Sequence, residues 1–309
     1  MIEKIISHIK HEIDFKKNET IRLFHGRGRM FQGLEHINID YFTPVIVIYL
    51  YQKETDDCLN SLGSKLRDIP AIADKLECIV IQKRYLTNNS LTVLYGSLPK
   101  QVYAEENGLK FQIKLGSAQN IGFFPDMKNT RNWLIENAEN KKILNLFSYT
   151  CSLSVAAIKG KADTVVNVDM NSNFLSIGKK NHAINQVDPK NIKYLPHNIF
   201  KSWSKIKKLG YYDIIIIDPP FSQSGSFNFK KDYPKVISRI PQIAAQNSQI
   251  IATLNHPLLD SKYLNDLFIQ HCPQCQLIEK IPLPPEFTEN NPNQGLAILL
   301  FNYTAQSHI

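Results

Sequence analysis

Four consecutive isoleucines, Ile214 to Ile217, run straight into Asp218, Pro219, Pro220 and Phe221. A run this apolar fits a strand buried on both faces. Two prolines cannot continue it, so the aspartate must stand where the strand ends. The prolines give a rigid turn whose carbonyls accept hydrogen bonds while offering no N–H. Asp218 and a proline carbonyl could together hold both protons of an exocyclic amine on a nucleobase, turning its lone pair toward an electrophile. Phe221 would offer a flat apolar face to a base taken out of its stack. The bland alternative is a strand followed by a tight turn.

Ligands of open α/β sheets bind beyond the carboxyl ends of the strands, so the other strand ends matter equally. "KKILNLF" runs into "SYTCSLS", "TVVNV" ends at Asp169, and "IKYL" is followed by His197 and Asn198. Asp169 lies about 20 residues beyond the first turn, the separation at which an acid reaches ribose hydroxyls. A dinucleotide would also require G-x-G-x-x-G at that turn, and "SYTCSLS" contains no glycine. An adenosyl cofactor without phosphates, such as S-adenosylmethionine, makes no such demand, and Asn198 could then read the adenine edge. Each acid alone fits a helix cap; together at one sheet edge they fit a nucleoside site better.

The cysteines point away from metal and disulfide chemistry. Five of them, an odd number, in a chain whose N-terminus lacks a continuous apolar signal stretch argue for reduced thiols. "HCPQC" (271–275) would need a second ligand pair to hold zinc, and none stands at suitable spacing. No metal site is expected. His256, beside Asn255 after "IIATL", could bind a target or move a proton, or could simply sit at the surface.

These residues need a scaffold. Ile2, Ile5, Ile6, Ile9 and Ile13 recur at helical spacing and mark an amphipathic helix. From Ile21 to Leu115 the texture is one of short β-rich runs with a helical stretch around Asn60–Lys75, as in a small α+β domain. "GFFPDMKNTRNWLIENA" (122–138) reads as a turn leading into a helix. Strands and helices then alternate, implying βαβ units and a doubly wound, mostly parallel sheet. The last two strands, "CQLIEKIPLP" and "LAILLFNY", are joined by a loop too short for a crossover helix and are expected to be antiparallel. The expected division is 1–115 for the helix and small domain and 116–309 for the α/β domain.

With 309 residues, about two domains are expected. No apolar run is long enough for a membrane span, and cytoplasmic residence is the expectation. The formal net charge of +8 favours polyanions mildly, nucleic acid among them. "HGRGR" (25–29) is either an exposed turn or a phosphate-contacting loop.

The segments "GFFPDMKNTRNWL", "NLFSYTCSLSVAA", "VVNVDMN" and "IIIIDPPFS" resemble the S-adenosylmethionine-dependent 23S ribosomal RNA methyltransferases with the Rossmann-like class I fold, the group of large-subunit methyltransferases I and K/L. The likeness runs in order through the C-terminal two-thirds. "HGRGR" and "ENGLKFQIKLGSAQNIGFFPD" resemble the small α+β domain that precedes the catalytic domain there and helps hold RNA. The resemblance implies that Phe124, Asp126 and Arg131 close over the cofactor and that Phe147, Ser148 and Tyr149 line its methionine portion. It gives Asp169 the ribose, Met170 the adenine face and Asn198 the adenine amine. Asp218, Pro219, Pro220 and Phe221 would form the target-base pocket.

Two departures are informative. Glycine usually stands where this loop has Cys151 and Ser152, and aspartate is commoner than Asn198. Members that methylate cytosine C5 carry cysteines just after the strand that here reads "IIATLNHP" (250–257), because a thiolate must add to ring C6. No cysteine is present there, and Cys151 reads as packing. A base nitrogen is therefore the expected target, guanine first and adenine second. The implied partner is RNA, ribosomal first, with no membrane and with homodimerisation left open. Small-molecule methylation and RNA binding without catalysis are the competing readings. "SGSFNFKKDYPKVISR" (224–239) reads as a mobile loop on the substrate side, or as a solvated connection.

Overall fold

The computed structural model describes residues 1–12, 19–86, 91–116, 120–220, 222–223, 227–256, 258–293 and 295–305. The chain forms two compact units, Met1–Asp126 with Pro284–Asn291, and Met127–Leu283 with Pro292–Ile309. This differs from a division after residue 115. Lys114 N–H donates to the Ile121 carbonyl (2.8 Å), and the distant Asn290 N–H donates to the Gly28 carbonyl (2.7 Å), tying both segments to the first unit.

In the first unit α1 (Ile2–Glu12) precedes β1 (Ile21–His25), β2 (Ile37–Phe42), β3 (Val45–Leu50), α2 (Asp56–Arg67), α3 (Pro70–Ala73), β4 (Cys78–Lys83) and β5 (Leu91–Gly96). The five strands pair in sequence order, and only β3 and β4 are parallel. The helices α2 and α3 form the crossover that this parallel pair requires. The single helix expected around 60–75 is broken because Ile69, preceding Pro70, is held extended at φ −79°, ψ 114°. The isoleucine stripe of α1 buries Ile5 and Ile9 completely, in one core with Leu23, Ile39 and Leu62. A hairpin of β6 (Val102–Glu106) and β7 (Leu109–Ile113) completes the unit.

The second unit runs α4 (Lys128–Asn137), β8 (Lys142–Leu146), α5 (Ser152–Lys159), β9 (Thr164–Val168), α6 (Ser172–Ile184), β10 (Ile192–Leu195), α7 (Trp203–Lys208) and β11 (Tyr212–Ile217). It continues with β12 (Ser222–Gln223), β13 (Phe227–Asn228), α8 (Phe229–Ile237), β14 (Ala244–Asn255), α9 (Ser261–His271), β15 (Cys275–Lys280) and β16 (Leu296–Tyr303). Its sheet has the order β10-β9-β8-β11-β14-β16-β15. Every pairing is parallel except those of β16, which is inserted between β14 and β15 and runs against both. The mostly parallel Rossmann-like sheet with its late antiparallel strand is thus present.

The register explains the isoleucine run. Ile214 and Ile216 enter a core with Leu134, Ile143 and Val165, whereas Ile215 and Ile217 enter the opposite core with Leu144, Tyr233 and Phe268. All four are fully buried, so both faces of β11 are covered. Each such side chain stabilises the fold by about 1.5–3 kcal/mol relative to exposure. After β10 the chain crosses back to lay β11 beside β8, which makes the β8/β11 boundary the switch point where such sheets open a crevice.

Part of the segment 224–239 differs from the expected loop. Phe227 onward forms β13 and then α8, whose cap Asn228 Oδ1 accepts from Lys231 N–H at 3.0 Å, while 224–226 lie outside the described residues. No described helix is long and apolar enough to cross a membrane.

Candidate active site

The loop after β8 solves a backbone problem without glycine. Phe147, Tyr149 and Cys151 all take left-handed conformations, at φ 59°, 48° and 63°. Non-glycine residues there cost on the order of 1–3 kcal/mol each and persist only where surrounding contacts over-determine them. Those contacts are visible. Ser148 N–H donates to the Val168 carbonyl (3.1 Å), Tyr149 N–H to Asp169 Oδ2 (2.9 Å), and Cys151 N–H to the Ser148 carbonyl (2.8 Å). Gly178 of α6 faces the loop so closely that a Cβ there would meet Cys151 Sγ at 2.4 Å.

Asp169 follows β9 directly and serves two strand ends at once. Its Oδ2 holds the Tyr149 N–H and its Oδ1 accepts from Asn171 N–H at 2.8 Å. Burial raises its carboxyl, and these two N–H bonds pull it part of the way back. A carboxylate has about four lone-pair sites, so acceptor capacity remains for a ligand hydroxyl. Beside it Met170 is exposed, and the half-buried Tyr149 ring packs edge-on to Phe174 with centroids 4.5 Å apart.

Asn198 is partly committed. Its Oδ1 accepts from Phe200 N–H (2.9 Å) and Lys201 N–H (3.4 Å), which turns the amide NH2 away from those bonds. That group donates, so it matches a ring nitrogen of adenine better than the exocyclic amine. Ser148 is buried, and its Oγ has no hydrogen-bond partner among the described residues. An orphaned hydroxyl and a carboxylate with spare acceptor capacity at one sheet edge fit a polar, phosphate-free ligand such as an adenosyl group. Burial pushes the Cys151 thiol up. Such a thiol is no nucleophile.

Asp218 stands half-buried at the end of β11, followed by buried Pro219 and half-buried Pro220. Thr253 Oγ1, from the adjacent β14, donates to Asp218 Oδ1 at 2.5 Å. Below it, Tyr233 of α8 donates to the Thr253 carbonyl (3.0 Å) and lies 3.3 Å from the Ile217 carbonyl, bridging both strand ends. Burial drives the Tyr233 phenol far up and the Asp218 charge adds to this, so Tyr233 stays protonated and donating. Phe227 of β13 meets Phe147 edge-on at 4.9 Å and joins the two loops across the mouth. Phe221 lies outside the described residues. His256 Nδ1 accepts from Leu258 N–H at 3.0 Å, and burial lowers its ring together with the Lys230 charge.

A buried polar chain supports the first loop. Asn145 Nδ2 donates to Asn167 Oδ1 (3.1 Å), Asn167 Nδ2 to Ser154 Oγ (3.0 Å), and Ser154 Oγ lies 2.9 Å from His182 Nε2. His182 Nδ1 is 2.8 Å from the Gly178 carbonyl, which fixes the proton on Nδ1 and makes Nε2 the acceptor. Burial holds this ring down at about 4, so it is neutral. Sequence reasoning passed over this chain, although asparagines interrupting two apolar strands, in register with each other, were the signal. Thr253 and Tyr233 carried no comparable signal.

The remaining expected residues belong to both units. Arg131 on α4 is completely buried. Phe124 and Asp126 belong to the first unit and line a cavity there. Among the described residues no cluster of three or more His, Cys, Asp or Glu could hold a metal ion.

A doubly wound sheet with a left-handed loop after its first strand, and acids after its second and fourth, defines a Rossmann-like nucleoside-binding protein. Residues 21–302 match the family described as S-adenosylmethionine-dependent methyltransferase, and the chain belongs to that family. The chain is 30% identical over 199 residues to ribosomal RNA large subunit methyltransferase I of Aeromonas hydrophila, a match covering 62% of this chain and 50% of that protein. It is 26% identical over 288 residues to Bacillus subtilis YwbD, named provisionally as a ribosomal RNA large subunit methyltransferase, covering 88% of this chain and 72% of that one. The chain thus spans about half the length of the Aeromonas relative. A solved structure from Streptococcus mutans, provisionally assigned as an S-adenosylmethionine-dependent methyltransferase, superposes with a TM-score of 0.83. It is 25% identical, over 97% of this chain and 81% of that one.

Proposed function

We propose that this chain methylates a base nitrogen of ribosomal RNA, guanine first and adenine second, in a pocket built on Asp218, Pro219, Pro220 and Phe221. The observation that carries the reading is Asp218 at the β8/β11/β14 mouth, oriented by Thr253 and followed by two residues that can only accept hydrogen bonds. S-adenosylmethionine supplies an electrophilic methyl group on a sulfonium. Asp169 would hold its ribose, Asn198 and Met170 its adenine, and Phe147, Ser148 and Tyr149 its methionine portion. The resemblance would also give Phe124, Asp126 and Arg131 a part in closing over it.

On the acceptor side, Thr253 donates to Oδ1 of Asp218 and so orients the carboxylate that would receive a proton of the amine. A proline carbonyl would take the second, holding the nitrogen lone pair out of conjugation with the ring. Asp218 would also stabilise the positive charge that develops on nitrogen as the new bond forms. C5 chemistry is disfavoured because no cysteine follows β14 and the Cys151 thiol is buried and pushed up. RNA as substrate is supported by the net charge of +8 and by the names of the relatives.

The test is transfer of labelled methyl from S-adenosylmethionine to unmodified ribosomal RNA, followed by nucleoside mass spectrometry. A labelled N-methylpurine is expected. Labelled 5-methylcytidine would overturn the nitrogen assignment, and no label on RNA despite measurable cofactor binding would overturn the RNA assignment.

A further inference from the structure

The first unit holds a cavity of about 150 Å³ whose walls combine aromatic rings and the guanidinium groups of Arg22 and Arg84 with the carboxylates of Asp40 and Asp126. One cation there is already consumed. Arg22 grips Asp40 through two bonds, Nε to Oδ1 at 2.5 Å and the second guanidinium nitrogen to Oδ2 at 3.0 Å, and lies 4.6 Å over Phe287. Burial works against the Arg22 charge, but Asp40 outweighs it and keeps the guanidinium firmly protonated. This pair is a fixed wall, not a ligand-binding charge.

Arg84 is different. Its guanidinium lies 5.0 Å over the Tyr49 ring, and its Nε is buried without a hydrogen-bond partner among the described residues. Leaving such a donor unpaired costs about 1–3 kcal/mol, which an incoming acceptor would recover. Tyr51, half-buried in the same wall, carries the exposed Arg27 guanidinium 4.3 Å over its ring. Neither Arg27 nor Arg84 has a carboxylate partner among the described residues. An unpaired guanidinium donor beside aromatic rings matches the two halves of a nucleotide, an anionic phosphate and a flat base.

We propose that this cavity receives one unstacked nucleotide of the substrate RNA, with its phosphate on Arg84 and its base against Tyr51. The proposal rests on the RNA reading above and adds a point of contact in the first unit, on the Arg84 and Tyr51 wall of a cavity that Phe124 and Asp126 also line. "HGRGR" then contributes through Arg27, whose stacking on Tyr51 keeps that ring in place.

The experiment measures affinity of the full chain for a short labelled single-stranded RNA of mixed sequence across a salt series, with S-adenosylmethionine affinity and labelled-methyl transfer as parallel readouts. Arg84→Gln should weaken RNA binding about tenfold and lower the slope of log affinity against log salt by about 0.7, the share of one phosphate on a single strand. Arg84→Lys should restore the slope. Tyr51→Ala should weaken binding about fivefold or more with the slope unchanged. Cofactor affinity should stay at the parent value in all three, which also checks that each variant is folded.

Parent-like RNA affinity and slope in Arg84→Gln, with the parent methylating RNA, would overturn the cavity proposal and leave the RNA reading standing. Loss of cofactor affinity in place of RNA affinity would overturn it as well. A parent that neither binds nor methylates RNA would remove both, and the methyl-transfer readout identifies that case.

Discussion

The Asp169 carboxylate accepts the backbone N–H of Tyr149 at 2.9 Å and thereby locks the loop after β8 to the end of β9. One side chain shapes this loop and, in the proposed site, would also hold the ribose. Asp169→Ala should therefore raise the S-adenosylmethionine dissociation constant at least about tenfold, or about 1.4 kcal/mol, by titration calorimetry. Asp169→Asn should lose nearly as much, because its NH2 would confront a backbone donor. Parent-like affinity in both variants would sink the assignment of Asp169.

Asp218→Ala should abolish methyl transfer and leave cofactor affinity near the parent value. Thr253→Val is the finer probe, since it removes only the hydroxyl that occupies Asp218 Oδ1. A fall of about tenfold in kcat with unchanged cofactor affinity is expected, and Thr253→Ser should recover most of it. If Val and Ser variants behave alike, Thr253 does not orient Asp218.

His182 makes stability pH-dependent. Its ring titrates near 4 in the folded chain against an ordinary 6.5, because burial disfavours the charged form. Between those values the unfolded chain binds the extra proton, so the stabilisation is complete above pH 6.5 and declines as the pH falls toward 4. The loss reaches about 3 kcal/mol at most. Denaturant unfolding at several pH values should show the decline, and His182→Asn should flatten it in that window.

Gly178→Ala tests the packing behind the loop. The added Cβ would meet Cys151 Sγ at 2.4 Å and Cys151 Cβ at 3.0 Å, so α6 or the loop must move. Destabilisation of about 1–3 kcal/mol is expected, with weakened cofactor binding. A variant with unchanged Tm and unchanged affinity would show that the loop has slack.

The sequence by itself determined the order of the main-sheet strands in the second unit and which residues stand at their ends, while β13 and α8 emerged where a loop was expected. Alternation of apolar runs with helical patterns, and prolines after Ile214–Ile217, are local properties that a chain carries wherever it folds. The late antiparallel strand was legible for the same reason, since a loop of that length cannot cross a sheet. Only the tertiary structure decided how the hydrogen-bonding capacity of those residues is spent. Asp169 gives two of its lone-pair sites to N–H groups of its own fold, Asn198 commits its carbonyl, and Thr253 reaches Asp218 from a strand that lies 35 residues further along the chain. The left-handed turns that replace glycine at Phe147, Tyr149 and Cys151 belong to the same category, as does the return of 284–291 to the first unit. Each depends on groups brought together through space by sheet order and register, and no local propensity records which partner will arrive.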